Sequence, residues 1–218
     1  MNVSFPSFSP KNTPVINSAT GEHLFQLSTP IGFRSRSTTL WDAQDRMVGK
    51  YKTGWAHDEL TYHGQTMTLA EWLVERSGSC GRTFLASNGR SYEWQWEILG
   101  SGGYKLIDCL TDKLIARGHR KHTRPSRKMS IDVLPEGYPF LDAIVLSFVL
   151  CERIREEQET AALRRSRASM MHQRQQLQAM MATQQSQAMM ATQQSQVIMA
   201  QTLNIATQAW AAPPPPRS

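Results

Sequence analysis

The chain has 218 residues, 40% of them apolar and 8% aromatic, and a formal charge of +6, which suits one domain of ordinary size with a real core, plus tails. Three scattered cysteines, Cys80, Cys109 and Cys151, exclude a disulfide framework, lack any zinc spacing and point to a reducing compartment. The positive excess is local: residues 1–158 carry 19 Lys+Arg against 17 Asp+Glu, whereas residues 159–218 carry 5 against 1.

The opening "MNVSFPSFSPKNTP" has no apolar run of the secretory kind. Residues 1–21, rich in Ser, Pro and Asn without periodicity, are expected to be disordered. From His23 to about Val133, short runs of β-branched, aromatic and Leu residues are broken by turn signals. "STTLWDA" and "RMVGKYK" flank Gln44-Asp45, and "ELTY" and "QTMTLAEWLVE" flank His63-Gly64. "RTFLAS" and "RSYEWQWEIL" flank Asn88-Gly89, the strongest hairpin signal, because a type I′ turn needs positive φ at both central residues. "YKLIDCL", "KLIARGH" and "KMSIDVL" complete nine to eleven candidate strands, with no amphipathic helix among them. Many short antiparallel strands predict a sandwich or a barrel.

From Phe140 to Cys151 only Asp142 and Ser147 are polar, so a helix here is apolar on nearly every side and must be buried. These twelve residues span roughly 18 Å as a helix, short of the ~30 Å hydrocarbon core of a membrane. Asp142, in the first turn after Pro139, suits the positive end of the helix dipole. A buried core helix is therefore expected over 140–157, enclosed by the strands. Beyond it, "QAMMATQQS" occurs at 178–186 and again at 187–195. A nine-residue step advances a helix by about 900°, so Met180-Met181 and Met189-Met190 face opposite ways and no heptad seam forms. Residues 158–218 are expected to be a helical or disordered Gln/Met/Ala-rich tail.

Taken together, "RTFLASNGRSYEWQW", "KLIARGH", a basic strand and "FLDAIVLSFVLCERIRE" resemble an uncharacterised fungal domain family related to the tubby C-terminal and LURP-one-like group, with phospholipid scramblases as distant relatives. The resemblance covers roughly residues 22–157 and rests on element order, the Asn88-Gly89 hairpin, Trp94 and the terminal helix. It implies a mainly β (α+β) fold: a closed antiparallel barrel of about 10–12 strands around a hydrophobic C-terminal helix. It also makes phosphoinositide binding by surface basic residues relevant, although no family residue can be matched to a position here.

Catalytic signatures are missing: no nucleophile elbow, zinc-protease helix or phosphate-binding loop is present. "GSGG" (100–103) reads as a hairpin turn, and His57-Asp58-Glu59 as a turn before a strand. His119 and His122 lie among Arg120, Lys121 and Arg124, whose charge disfavours a metal cation. The candidate site is "RGHRKHTRPSRK", with Arg117, Arg120, Lys121, Arg124, Arg127 and Lys128 and no acidic residue. Such a cluster suits phosphates, on acidic phospholipids or on nucleic acid. Arg164, Arg165 and Arg167 form a second cluster, and the Pro213–Pro216 run suits a polyproline-binding partner. The expectation is a non-enzymatic cytoplasmic module without cofactor or metal, meeting a membrane only peripherally. The alternative is a nuclear regulator with nucleic acid at the basic loop and protein partners on the Gln-rich tail.

Overall fold

The computed structural model describes residues 1–6, 12–30, 37–54, 57–76, 81–97, 103–120 and 129–210, with the Arg120 side chain and several in the tail outside that description. The chain divides into two compact units, Met1–Glu156 and Glu157–Ser218.

The first unit contains β1 (Asn2–Phe5), β2 (Asn12–Asn17), β3 (His23–Ser28), β4 (Ser37–Asp42), β5 (Met47–Lys52), β6 (Glu59–Tyr62) and β7 (Gln65–Thr68). After a one-turn helix, α1 (Leu69–Trp72), follow β8 (Leu73–Glu75), β9 (Arg82–Leu85), β10 (Ser91–Trp96), β11 (Tyr104–Asp108), β12 (Leu114–Arg120) and β13 (Met129–Val133). A 3₁₀ turn, Pro135–Phe140, leads into α2 (Leu141–Trp210), which reaches into the second unit. All thirteen strands form one sheet in the order β7-β6-β5-β4-β3-β2-β1-β13-β12-β11-β10-β9-β8. Each neighbouring pair is antiparallel. The fold is thus mainly β with a long C-terminal helix, as expected.

Within residues 1–21, where a disordered lead-in is expected, Asn2–Phe5 and Asn12–Asn17 are strands. β1 lies between β2 and β13, pairing Val3 with Asn17 on one side and with Ile131 on the other. Alternation sets the reason: Val3 and Phe5 point inward and are fully buried, while Asn2 and Ser4 face outward. β1 occupies what would otherwise be two open sheet edges. Pro14 is tolerated inside β2 because the described β1–β2 ladder involves only Asn17 and Ile16.

The sheet wraps around the first turns of α2. Ala143 to Glu152 are all at most 4% exposed. Strands from both halves of the sheet reach this segment. Phe148 lies against the rings of Phe5 (β1), Trp94 (β10) and Tyr104 (β11), at centroid distances of 6.0, 5.6 and 5.9 Å. Leu146 lies close over Gly49 in β5, and the Phe148 ring covers Gly118 in β12. Glycine is needed at both positions for space: neither has positive φ, yet a Cβ at Gly49 would stand 2.7 Å from Leu146 Cδ2. Ser147, the lone polar residue in mid-helix, accepts a hydrogen bond from Trp94 Nε1 (2.8 Å) and donates to Ile144 O (3.1 Å). Ser147→Ala would leave the buried indole N–H unpaired. The expected cost is about 1–3 kcal/mol, read as a lower urea midpoint at unchanged slope. Among the described residues, no helix is long and apolar enough to cross a membrane.

Two local readings change. The type I′ hairpin is at His63-Gly64, where φ is 47° and 77° and Tyr62 pairs directly with Gln65. At Asn88-Gly89 only Gly89 has positive φ, 74°. Ala86 N–H donates to Arg90 O and Gly89 N–H to Ala86 O, giving a longer loop that ends in a left-handed glycine. The Asn88 side chain locks it, accepting from Arg90 N–H and donating to Tyr92 Oη. The second change is in "QTMTLAEWLVE", which is β7, α1 and β8 rather than one strand. Thr68 caps α1 through Glu71 N–H, and the Glu71 carboxylate returns to Thr68 N–H at 2.7 Å.

In the second unit, residues 157–210 are helical. Met180, Met181, Met189 and Met190 are 64–70% exposed.

Candidate functional site

The sequence-predicted site begins on the outer face of β12. Ladder register sets Arg117 beside Lys105 in β11 and Asp132 in β13, with Asn2 of β1 next along the row. Arg117 is exposed, and among the described residues it makes no ion pair. Lys105 pairs with Glu97. Arg120 ends β12, and Lys121, Arg124, Arg127 and Lys128 lie outside the described residues, as does His122. His119 Nε2 lies 2.7 Å from Asp132 Oδ2. No group of three or more metal-ligating side chains occurs among the described residues.

Asp132 also accepts from Asn2 Nδ2 at 2.6 Å. Burial works to raise its pKa, but the bonds from Asn2 and His119 outweigh that and hold it below 3.8. A depressed carboxylate contributes stability above its unfolded pKa and loses it as pH falls through the lower folded value. The gap in urea midpoint between wild type and Asp132→Asn should therefore be widest near neutrality and close below about pH 4.

Polar contacts collar the buried helix segment at both ends. At its start Asp142 Oδ2 accepts from Tyr62 Oη at 3.0 Å and lies 2.6 Å from His63 Nε2. Burial first, then the charge and hydrogen bond of Asp142, push the Tyr62 phenol well above its usual pKa. Towards the other end Arg153 donates to Thr38 Oγ1 (3.1 Å) and Thr53 Oγ1 (2.8 Å) and lies 4.5 Å from the Tyr51 ring centre. Arg155 lies 4.7 Å from that of Trp96 and bonds Glu152. Asp58, in the turn before β6, accepts from Tyr51 Oη at 2.6 Å and from Gly54 N–H at 3.3 Å. Burial, then that bond, pushes the Tyr51 phenol up to about 12.

Sequence reasoning missed a further feature: neighbouring strands share no described ladder between β7 and β8, the two ends of the sheet order. There α1 and a train of rings bridge the seam. Tyr62, Trp72, Phe84, Tyr92 and Phe140 follow one another at centroid distances of 5.3, 5.6, 6.0 and 4.4 Å. A cavity of about 500 Å³ opens along the seam, reaching Gln65 and Met67 on one side and Val74 and Leu85 on the other. The Thr68–Glu71 capping box was the one signal in the sequence that could have located this break.

A family model described as a family of unknown function, DUF6593, matches residues 8–157. The chain belongs to DUF6593. That match spans β2 to β13 and ends beside Glu156, the last residue of the first compact unit. No curated protein matches the DUF6593 chain. Among solved structures it is similar to the X-ray structure of a protein from Arabidopsis thaliana, at 12% identity and a TM-score of 0.40, over 71% of this chain and 90% of that one.

Proposed function

We propose that this DUF6593 chain is a non-enzymatic, tubby-like module that binds acidic phospholipid headgroups through the basic segment Arg117–Lys128. The observation that carries the reading is charge density: six Lys and Arg and no acidic residue between the body of β12 and the start of β13. Two features support it. Arg117 is exposed at the base of this segment, and both flanking strands are held in ladders on each side. The lipid contact is peripheral and electrostatic, worth about 1 kcal/mol for each Lys or Arg at an anionic surface.

The test uses the full chain with phosphatidylcholine vesicles, with and without phosphatidylinositol bisphosphate. Binding is expected only with the acidic lipid and should weaken with added salt. Replacing Arg120, Lys121, Arg124 and Arg127 together with Ala should weaken it at least tenfold. Unchanged binding in that variant overturns the proposal. So does tighter binding to a short nucleic-acid duplex than to the acidic vesicles, which would move the protein to the nuclear reading.

A further inference from the structure

The seam between β7 and β8 leaves two strands with ladder partners on one side only. In an antiparallel pair, successive residues aim their N–H and C=O groups alternately into the ladder and out of it. The type I′ turn makes Tyr62–Gln65 a hydrogen-bonded pair, so Thr66, opposite Thr61, aims its backbone N–H and C=O away from β6. The same alternation aims Thr68 N–H outward, where the Glu71 carboxylate meets it. On β8 the Arg76 N–H to Gly81 O bond sets the register, so Glu75, opposite Arg82, aims its N–H and C=O off the β9 ladder. Among the described residues no backbone group pairs with these.

Side chains make the seam more than a bare edge. Val74 and Leu85, 49% and 58% exposed, both line the cavity, and Met67 is partly buried beside it. An exposed apolar pair next to open strand edges is what native sheets usually cover or charge. Among the described residues, Glu71 is the only acidic one lining the cavity, and no Lys or Arg does. Its hydrogen bonds to Thr68 hold its pKa below the usual 4.5, so it is ionised at neutral pH. Glu59 adds an exposed carboxylate on β6, while that of Glu75 is paired with Arg82 at 3.1 Å.

We propose that the β7–β8 seam is a strand-addition site: an extended peptide with alternating apolar side chains and a basic residue pairs along β7 through Thr66. Its backbone supplies the missing ladder bonds, its apolar side chains cover Val74 and Leu85 on the outer face, and its cation meets Glu71. The site is independent of the basic segment at β12–β13.

The test is amide chemical-shift mapping on the full chain with an end-blocked heptapeptide of alternating Thr and Val carrying one Lys. Saturable shifts are expected at Gln65–Thr68 and Leu73–Glu75. The same peptide N-methylated at its three central residues should bind at least tenfold more weakly, and one with Glu in place of Lys at least threefold more weakly. Thr66→Pro removes an N–H that the β6 ladder does not use, so the fold should persist while peptide affinity falls at least tenfold. If that variant fails to fold, the N-methylated comparison on the wild-type chain decides alone. Absence of shifts at about 1 mM peptide, or equal binding of the N-methylated form, overturns the proposal. A chain that is dimeric alone and becomes monomeric with Thr66→Pro also overturns it, because the occupant is then a second copy.

Discussion

Val145→Asp is expected to abolish the cooperative unfolding transition of the first unit. Val145 is fully buried on the helix segment that the sheet surrounds. Its neighbours Ile144, Leu146, Phe148 and Val149 are at most 3% exposed, so a carboxylate there has no route to water. The substitution loses about 2 kcal/mol of apolar burial and adds several kcal/mol for dehydrating an ion. Against a domain stability of about 5–15 kcal/mol, that is enough to remove the native state. The measurement is near-ultraviolet circular dichroism during a thermal ramp, with Val145→Ala as reference, expected to cost only about 2 kcal/mol. A soluble Val145→Asp chain that melts like wild type would mean the helix is not enclosed.

The second large effect comes from adding atoms. At Gly118 a Cβ would stand 2.3 Å from Phe148 Cε2, and the Phe148 ring is fully buried among Phe5, Trp94 and Tyr104. The ring has nowhere to go, so Gly118→Val is expected to cost about 3 kcal/mol or more. Pairing Gly118→Ala with Phe148→Leu makes room and should recover part of the loss of Gly118→Ala alone, a coupling that a double-mutant cycle in urea reads directly. Additive effects would place the ring elsewhere. Gly64 differs: its φ of 77° makes glycine a conformational requirement there, with nothing within 4 Å of the missing Cβ.

The helix was readable from the sequence because twelve consecutive residues offered only Asp142 and Ser147 as polar groups, and burial on all sides leaves that mark. The strand-rich stretch was readable from its turns. What escaped notice was short or conditional. β1 is four residues, too few for alternation to register, and its partner β13 lies more than 120 residues away. α1 is one turn set by a single capping box inside a run of otherwise strand-like residues. At Asn88-Gly89 the dipeptide marked a turn correctly, but the loop length set by the Leu85–Ser91 pairing chose its type. For the site, charge density at residues 117–128 is visible in any linear reading. The seam is not, because it depends on which two strands fail to pair.

The position of β1 between β2 and β13 bears on how the chain is made. On a ribosome, β1 emerges well before β13, and the ladder between them can form only after residue 133 has left the exit tunnel. The helix around which the sheet is built is synthesised later still, from Leu141 onward. Until then Val3, Phe5, Leu27, Leu40 and Leu60 lack the helix residues that share their core. Contacts between chain ends make folding slow and keep sticky intermediates alive while translation proceeds. The helical stretch that follows the first unit therefore has a kinetic consequence whatever it binds. Once enough of this stretch has been made to carry Leu146 and Phe148 out of the tunnel, the domain can close around its core while the chain is still tethered.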